Sequence, residues 1–162
     1  MSVDQRISRL HSVIDDSRLP EDDNWLNPEI DEIFSFDTPS EILRELGKSI
    51  SPWAKETSKL LHKRSPLMLH VSLRQIKLGR HMSLADELRL ERTLVQHCFY
   101  TNHLRRVGAQ TETVEGIRAL AIDKDHSPTW NPARIEDVTK SMVDPFFESP
   151  WLEDEHPLAD LT

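Results

Sequence analysis

Residues 64–99 read RSPLMLHVSLRQIKLGRHMSLADELRLERTLVQHCF, and their punctuation decides the fold class. Ser65 followed by Pro66 is a helix start: a hydroxyl cap, then a residue whose missing N–H costs nothing in the first turn. The helix it opens carries Leu69, Leu73 and Ile76 toward a core and stops at Gly79, where a left-handed residue is the usual device. Ser83 with Asp86 opens a second, longer helix, with Leu84, Leu88, Glu91, Val95 and Cys98 on one face, fading near His103.

The same grammar extends outward in both directions. Thr38, Pro39 and Glu41 form a capping box, with Gly47 closing that helix. Ser51 and Pro52 open another, with Trp53, Thr57, Leu60, Leu61 and Arg64 as its stripe. Toward the N-terminus, Ser2 caps a helix with Val3, Ile7, Leu10 and Ile14 on one side, and residues 15–29 follow as a polar loop. Toward the C-terminus, LRRVGAQTET (104–113) is a polar connector, and Thr111 or Thr113 caps the helix that begins VEGIRALAIDKDHSPTWNP (114–132). Two short helices start at Asn131–Pro132 and at Thr139. The expectation is a mainly α chain with no strand pattern or repeat: a helical region over 1–148 and an extended or disordered tail over 149–162.

Composition excludes several function classes. The chain has 162 residues, 20 Lys and Arg against 28 Asp and Glu, and a net charge of −8. An acidic surface repels a phosphate backbone, so no direct nucleic-acid partner is expected. Cys98 is the only cysteine, which rules out an internal disulfide and a cysteine-based zinc site. No run approaches the ~18 apolar residues of a membrane span, and Asp4, Asp15 and Asp16 are unlike a transit peptide, so no targeting segment is read. Four glycines in the whole chain, Gly47, Gly79, Gly108 and Gly116, cannot build a phosphate-cradling loop or a nucleophile elbow.

Among side chains with chemistry, the eight histidines lack the helical spacing of paired metal ligands, so no metal site is expected. His97 and Cys98 are adjacent on a helix and point about 100° apart, which prevents a thiol–base pair and leaves Cys98 to the core. Carboxylate runs such as Asp22–Asp23 and Glu153–Glu155 lie in loop or tail and read as solvated charge. Glu91, alone on an apolar stripe, has a salt bridge to an arginine of a neighbouring helix as its ordinary explanation. Lys124, between Asp123 and Asp125, sits at a helix C-terminus, where a cation gains about 0.3–1 kcal/mol from the macrodipole; a contact to a ligand phosphate is the functional alternative.

Taken together, SP with SLRQ (Ser65, Pro66, Ser72, Leu73, Arg74, Gln75) and EG, R and IDKD with SP, W and P (Glu115 to Pro132) closely resemble the C-terminal part of 3-hydroxyisobutyryl-CoA hydrolases, members of the enoyl-CoA hydratase/isomerase or crotonase superfamily. Weaker likeness through IDEIFSFDTPSEIL extends to nearly the whole chain except the tail. Two departures stand out: a connector between Phe99 and Val114 longer than the family's, and no counterpart of the ββα crotonase core. That core supplies the backbone N–H pair that polarises the thioester carbonyl, usually the largest catalytic term, so no catalytic residue is assigned here. The resemblance implies acyl-CoA thioester hydrolysis in valine breakdown by a parent protein, in mitochondria, with CoA as part of the substrate and no separate cofactor. It also implies a crotonase core or neighbouring subunit as the partner of these helices, and it brings Lys124, and secondarily Arg118, toward CoA. The alternatives are a structural subunit of a mitochondrial ribosome or a helical adaptor derived from the family.

Overall fold

The computed structural model describes residues 27–161. The chain divides into two compact units, residues 1–35 and 36–162, each treated by itself. The helix expected after Ser2 lies outside the described residues. Of the first unit, α1 (Pro28–Phe34) is described: Asn27 accepts from the Glu29 amide at 3.0 Å and Pro28 fills the first position. Of the loop expected over 15–29, residues 15–26 lie outside the described residues, and 27–29 form the start of α1, because Asn–Pro is a cap as well as a turn signal.

In the second unit the local start signals work as written. α2 (Pro39–Lys48) has its full capping box, Thr38 with Glu41. α3 (Pro52–Leu61) is capped by Ser51, α4 (Pro66–Gly79) by Ser65 and α5 (Leu84–Phe99) by Ser83. The stops differ from expectation. Gly47 lies inside α2, and among the described glycines Gly108 alone has positive φ. Gly79 is the last residue of α4, without positive φ, and a Cβ there would meet only the mobile end of the Glu87 side chain, at 3.0 Å.

Which faces are buried also differs. α4 buries Leu67 and Val71, while Ile76 is 61% exposed. On α3 the fully buried residue is Ala54, and Leu60 of the expected stripe is exposed. α5 buries Thr93 and Leu94 with Leu90 and Cys98 alongside, and leaves Leu84, Leu88 and Val95 exposed. Both helices carry apolar residues on more than one side, so period alone does not choose the inner one. The core gathers Leu67, Val71, Leu94, Val143 and Phe146, each contributing about 1.5–3 kcal/mol where fully buried.

After α5 the chain makes a two-residue antiparallel pairing, β1 (Tyr100–Thr101) with β2 (Arg106–Val107), around a 3-10 turn and left-handed Arg105. It is the only β structure among the described residues and too short for alternation to betray it. Thr111 caps α6 (Glu112–Ile117), which widens into a π-turn over Arg118–Ile122. No helix starts at Asn131–Pro132, a cis bond; a 3-10 turn follows at Ile135–Asp137. The Asn131 amide donates to Glu112 at 3.0 Å, which ties this loop to the start of α6. α7 (Lys140–Val143) begins after Thr139 and runs into a 3-10 turn at Asp144–Phe147.

The segment expected to be extended or disordered folds back on α5. The Arg89 guanidinium donates to the carbonyls of Leu158 (3.0 Å) and Leu161, His97 meets the Glu148 carbonyl at 2.8 Å, and Arg92 lies over the Trp151 ring at 4.8 Å. Trp151 packs edge-on against His156, which is buried.

Candidate functional site

The stretch that raised the lysine question forms one bonded unit. Thr111 is buried at its entry, its hydroxyl donating to the Gly108 carbonyl at 2.8 Å and accepting from the Val114 amide. One residue on, Glu112 is also buried. Its carboxylate accepts from the Ser65 hydroxyl and the Asn131 amide, with Arg106 3.7 Å away, so one acid ties the cap of α4 to the hairpin and to the far end of the loop. A buried carboxylate is tolerable only with partners of this kind.

The π-turn is marked by the Asp123 amide donating to the Arg118 carbonyl at 2.8 Å, a five-residue step. Arg118 then closes the turn. Its Nε and one Nη2 bond take the two Glu115 oxygens (both 2.9 Å), Nη1 takes Asp123 (2.6 Å) and Asp125 (2.7 Å), and Nη2 also reaches the Ser127 carbonyl (3.2 Å). A guanidinium has five N–H groups, and all five are committed. Arg118 holds the Glu115 carboxyl down at about 2, helped by the Thr129 amide 2.6 Å away. It likewise lowers Asp125, together with the Ser127 amide.

Inside this lock, Lys124 (φ 56) and His126 (φ 53) are both left-handed. That conformation costs an ordinary residue about 1–2 kcal/mol and persists where surroundings fix it. The glycine and tryptophan of the motif pack together: Gly116 lies against Trp130, where a Cβ would make an ordinary contact with Cη2 at 3.4 Å, and the indole N–H donates to the Lys63 carbonyl at 3.1 Å. Beside the turn runs an open cleft with Ile117, Leu120 and Trp130 among its walls and Lys63 and Arg64 lining it.

The two residues singled out for CoA therefore have different geometry. Lys124 is exposed and among the described residues has no carboxylate in ion-pair range, so its ammonium is available. Arg118 has no donor left for a phosphate; it positions the turn that carries Lys124. Glu91 has no arginine partner among the described residues, only the Gln75 amide at 3.5 Å. Burial pushes the Cys98 thiol up, against a smaller opposing bond from Thr113, and Cys98 packs against the core cluster. Glu112 is the residue that sequence reasoning missed, since an acid in a first helical turn looks like a partner for the macrodipole. Among the described residues no group of three His, Cys, Asp or Glu could hold a metal, and no helix is long and apolar enough to cross a membrane.

The family model for enoyl-CoA hydratase/isomerase matches residues 2–147. A probable 3-hydroxyisobutyryl-CoA hydrolase 2 of Arabidopsis thaliana is 40% identical over 136 residues, 82% of this chain and 34% of the relative. The mitochondrial 3-hydroxyisobutyryl-CoA hydrolase of Gallus gallus is 37% identical, covering 74% of this chain and 29% of the relative. The small ribosomal subunit protein mS47 of Arabidopsis thaliana is 36% identical, covering 73% and 28%. Among solved structures, an enoyl-CoA hydratase from Rhodobacter sphaeroides superposes with a TM-score of 0.65 at 28% identity, covering 90% of this chain and 42% of that one. The chain spans about a third of the length of the relatives it matches.

Proposed function

Because the chain belongs to the enoyl-CoA hydratase/isomerase family, we propose that these residues form the C-terminal helical portion of a 3-hydroxyisobutyryl-CoA hydrolase, acting in valine breakdown in mitochondria. Hydrolysis of the thioester requires the rest of the family fold, so this chain alone is inactive. The observation that carries the reading is the outer face of α5: Leu84 (73% exposed), Leu88, Val95 (51%) and Phe99 follow one another at helical spacing on the side away from the core. An exposed stripe on a well-formed helix, apolar except for Glu91 between Leu88 and Val95, is a surface for a partner, and the two-thirds of the relatives' length not spanned here supplies one. Within the assembled protein, Lys124 contacts a phosphate of CoA from the locked turn, and Arg118 holds that turn in shape.

The test is CoA release from 3-hydroxyisobutyryl-CoA, measured for the chain alone and after joining it to the remaining family fold. Activity in the joined protein only is expected, with Lys124→Gln raising KM and leaving kcat nearly unchanged. Release of CoA by the chain alone would sink the proposal. The likeness to mS47 favours a second reading, a structural ribosomal subunit. Co-sedimentation with small ribosomal subunits, abolished by deleting residues 104–113, would select it.

A further inference from the structure

A second cleft, of about 420 Å³, opens between α2, the turn joining α3 to α4, and the loop at 133–136. None of its walls comes from the 115–130 turn, and of its arginines Arg64 alone also lines the cleft beside that turn. Its size lies in the range of small-molecule sites, roughly 300–1,000 Å³. Half-buried Leu43, Leu61 and Leu69 give it an apolar lining, and three exposed arginines, Arg44, Arg64 and Arg134, line it from three separate elements. In a chain with a net charge of −8, that convergence runs against the average surface.

The accounting of partners leaves the positive charge in excess. Glu136 is the only acid in the wall; its carboxyl is held low by its own backbone amide and by Arg134, whose Nε lies 3.4 Å away. Arg44 touches Glu45 through Nε alone (3.1 Å), and Glu45 is shared with Lys48 at 2.8 Å. Arg64 has no carboxylate in range among the described residues.

We propose that this cleft binds a small organic anion, an apolar body bearing one phosphate or carboxylate, with Arg44 and Arg64 on the charged end and the leucine lining against the body. The chemistry follows from the guanidinium, whose planar fork matches either group through two parallel bonds. That apolar lining makes the cleft selective for an anion with an apolar part over a bare inorganic one, because apolar area is removed from water as the ligand seats.

Calorimetric titration of the full chain with phenyl phosphate, benzoate and inorganic phosphate tests this. At least one aromatic anion binds at a single site, about tenfold or more tighter than inorganic phosphate, and the preferred one assigns phosphate or carboxylate. The double variant R44Q/R64Q weakens it about tenfold or more, the scale of one charged hydrogen bond. R64K, which keeps the charge and removes the fork, weakens it by less, and thermal melts confirm that each variant is folded. Lys124→Gln leaves binding unchanged, which separates this site from the proposed CoA contact. Absence of binding by both aromatic anions, equal affinity for inorganic phosphate, indifference to R44Q/R64Q, or loss of binding in Lys124→Gln would each overturn the proposal.

Discussion

Arg118 and Arg89 each close a segment of this molecule, one the 115–129 turn and the other the C-terminal tail. Their side chains are equally exposed, 30% and 29%, so burial does not distinguish them. Their acceptors do. Arg118 bonds three carboxylates and one carbonyl, whereas Arg89 bonds the carbonyls of Leu158, Ala159 and Leu161 and a single carboxylate, Asp86. A lock made of side chains is spelled out in residue types and survives as a motif. One made of backbone carbonyls can be built from nearly any sequence, and leaves no trace in the letters.

The comparison can be broken or sharpened experimentally, starting where both segments share support. Phe146 lies in the core beneath α5, against which α6 also packs. Phe146→Ala is expected to cost about 3–5 kcal/mol in chemical denaturation, loosening turn and tail together. A loss under about 1 kcal/mol would mean that the two segments do not rest on one core.

Glu112→Ala comes next, at about 1–3 kcal/mol, because it leaves the Ser65 hydroxyl and the Asn131 amide without their acceptor. The turn should loosen while the tail keeps its protection in amide exchange.

Arg118→Gln should change global melting little yet sharply raise amide exchange over residues 123–129. Acid provides the finer reading. The folded Glu115 carboxyl sits at about 2 against an ordinary value of 4.5. Its contribution is therefore complete above about 4.5 and is lost as pH falls toward 2. The Thr129 amide signal should titrate near 2 in the parent chain and nearer 4.5 in Arg118→Gln. A midpoint unmoved by the substitution would separate Glu115 from Arg118.

The smallest effect belongs to Arg89→Ala. Global stability should fall by less than about 1 kcal/mol, while proteolysis within 149–161 accelerates several-fold. An unchanged cleavage rate would show that Trp151 and His97 hold the tail without Arg89.

The same contrast explains what could be read in advance. The caps at Thr38, Ser51, Ser65, Ser83 and Thr111 were legible because donor and acceptor lie within three residues of one another. The turn around Lys124 is visible as a motif, although its logic is not: the letters do not show that the five donors of Arg118 go to Glu115, Asp123, Asp125 and Ser127. Glu112 escaped notice because its partners, Ser65 and Asn131, are far away in sequence. α1 was hidden because Asn27–Pro28 is ambiguous between a cap and a turn.

By itself, then, the sequence determined where the helices capped by Thr38, Ser51, Ser65 and Ser83 begin, that the chain is mainly helical, and which family it resembles. These depend on interactions across a few residues and on side-chain identity. Tertiary structure alone decided which side of α4 and α5 faces inward, that the tail is strapped to α5, and that Arg118 serves the turn while Lys124 faces outward. Those outcomes rest on competition among distant groups for the same apolar surface and the same hydrogen-bond donors, which no local pattern records.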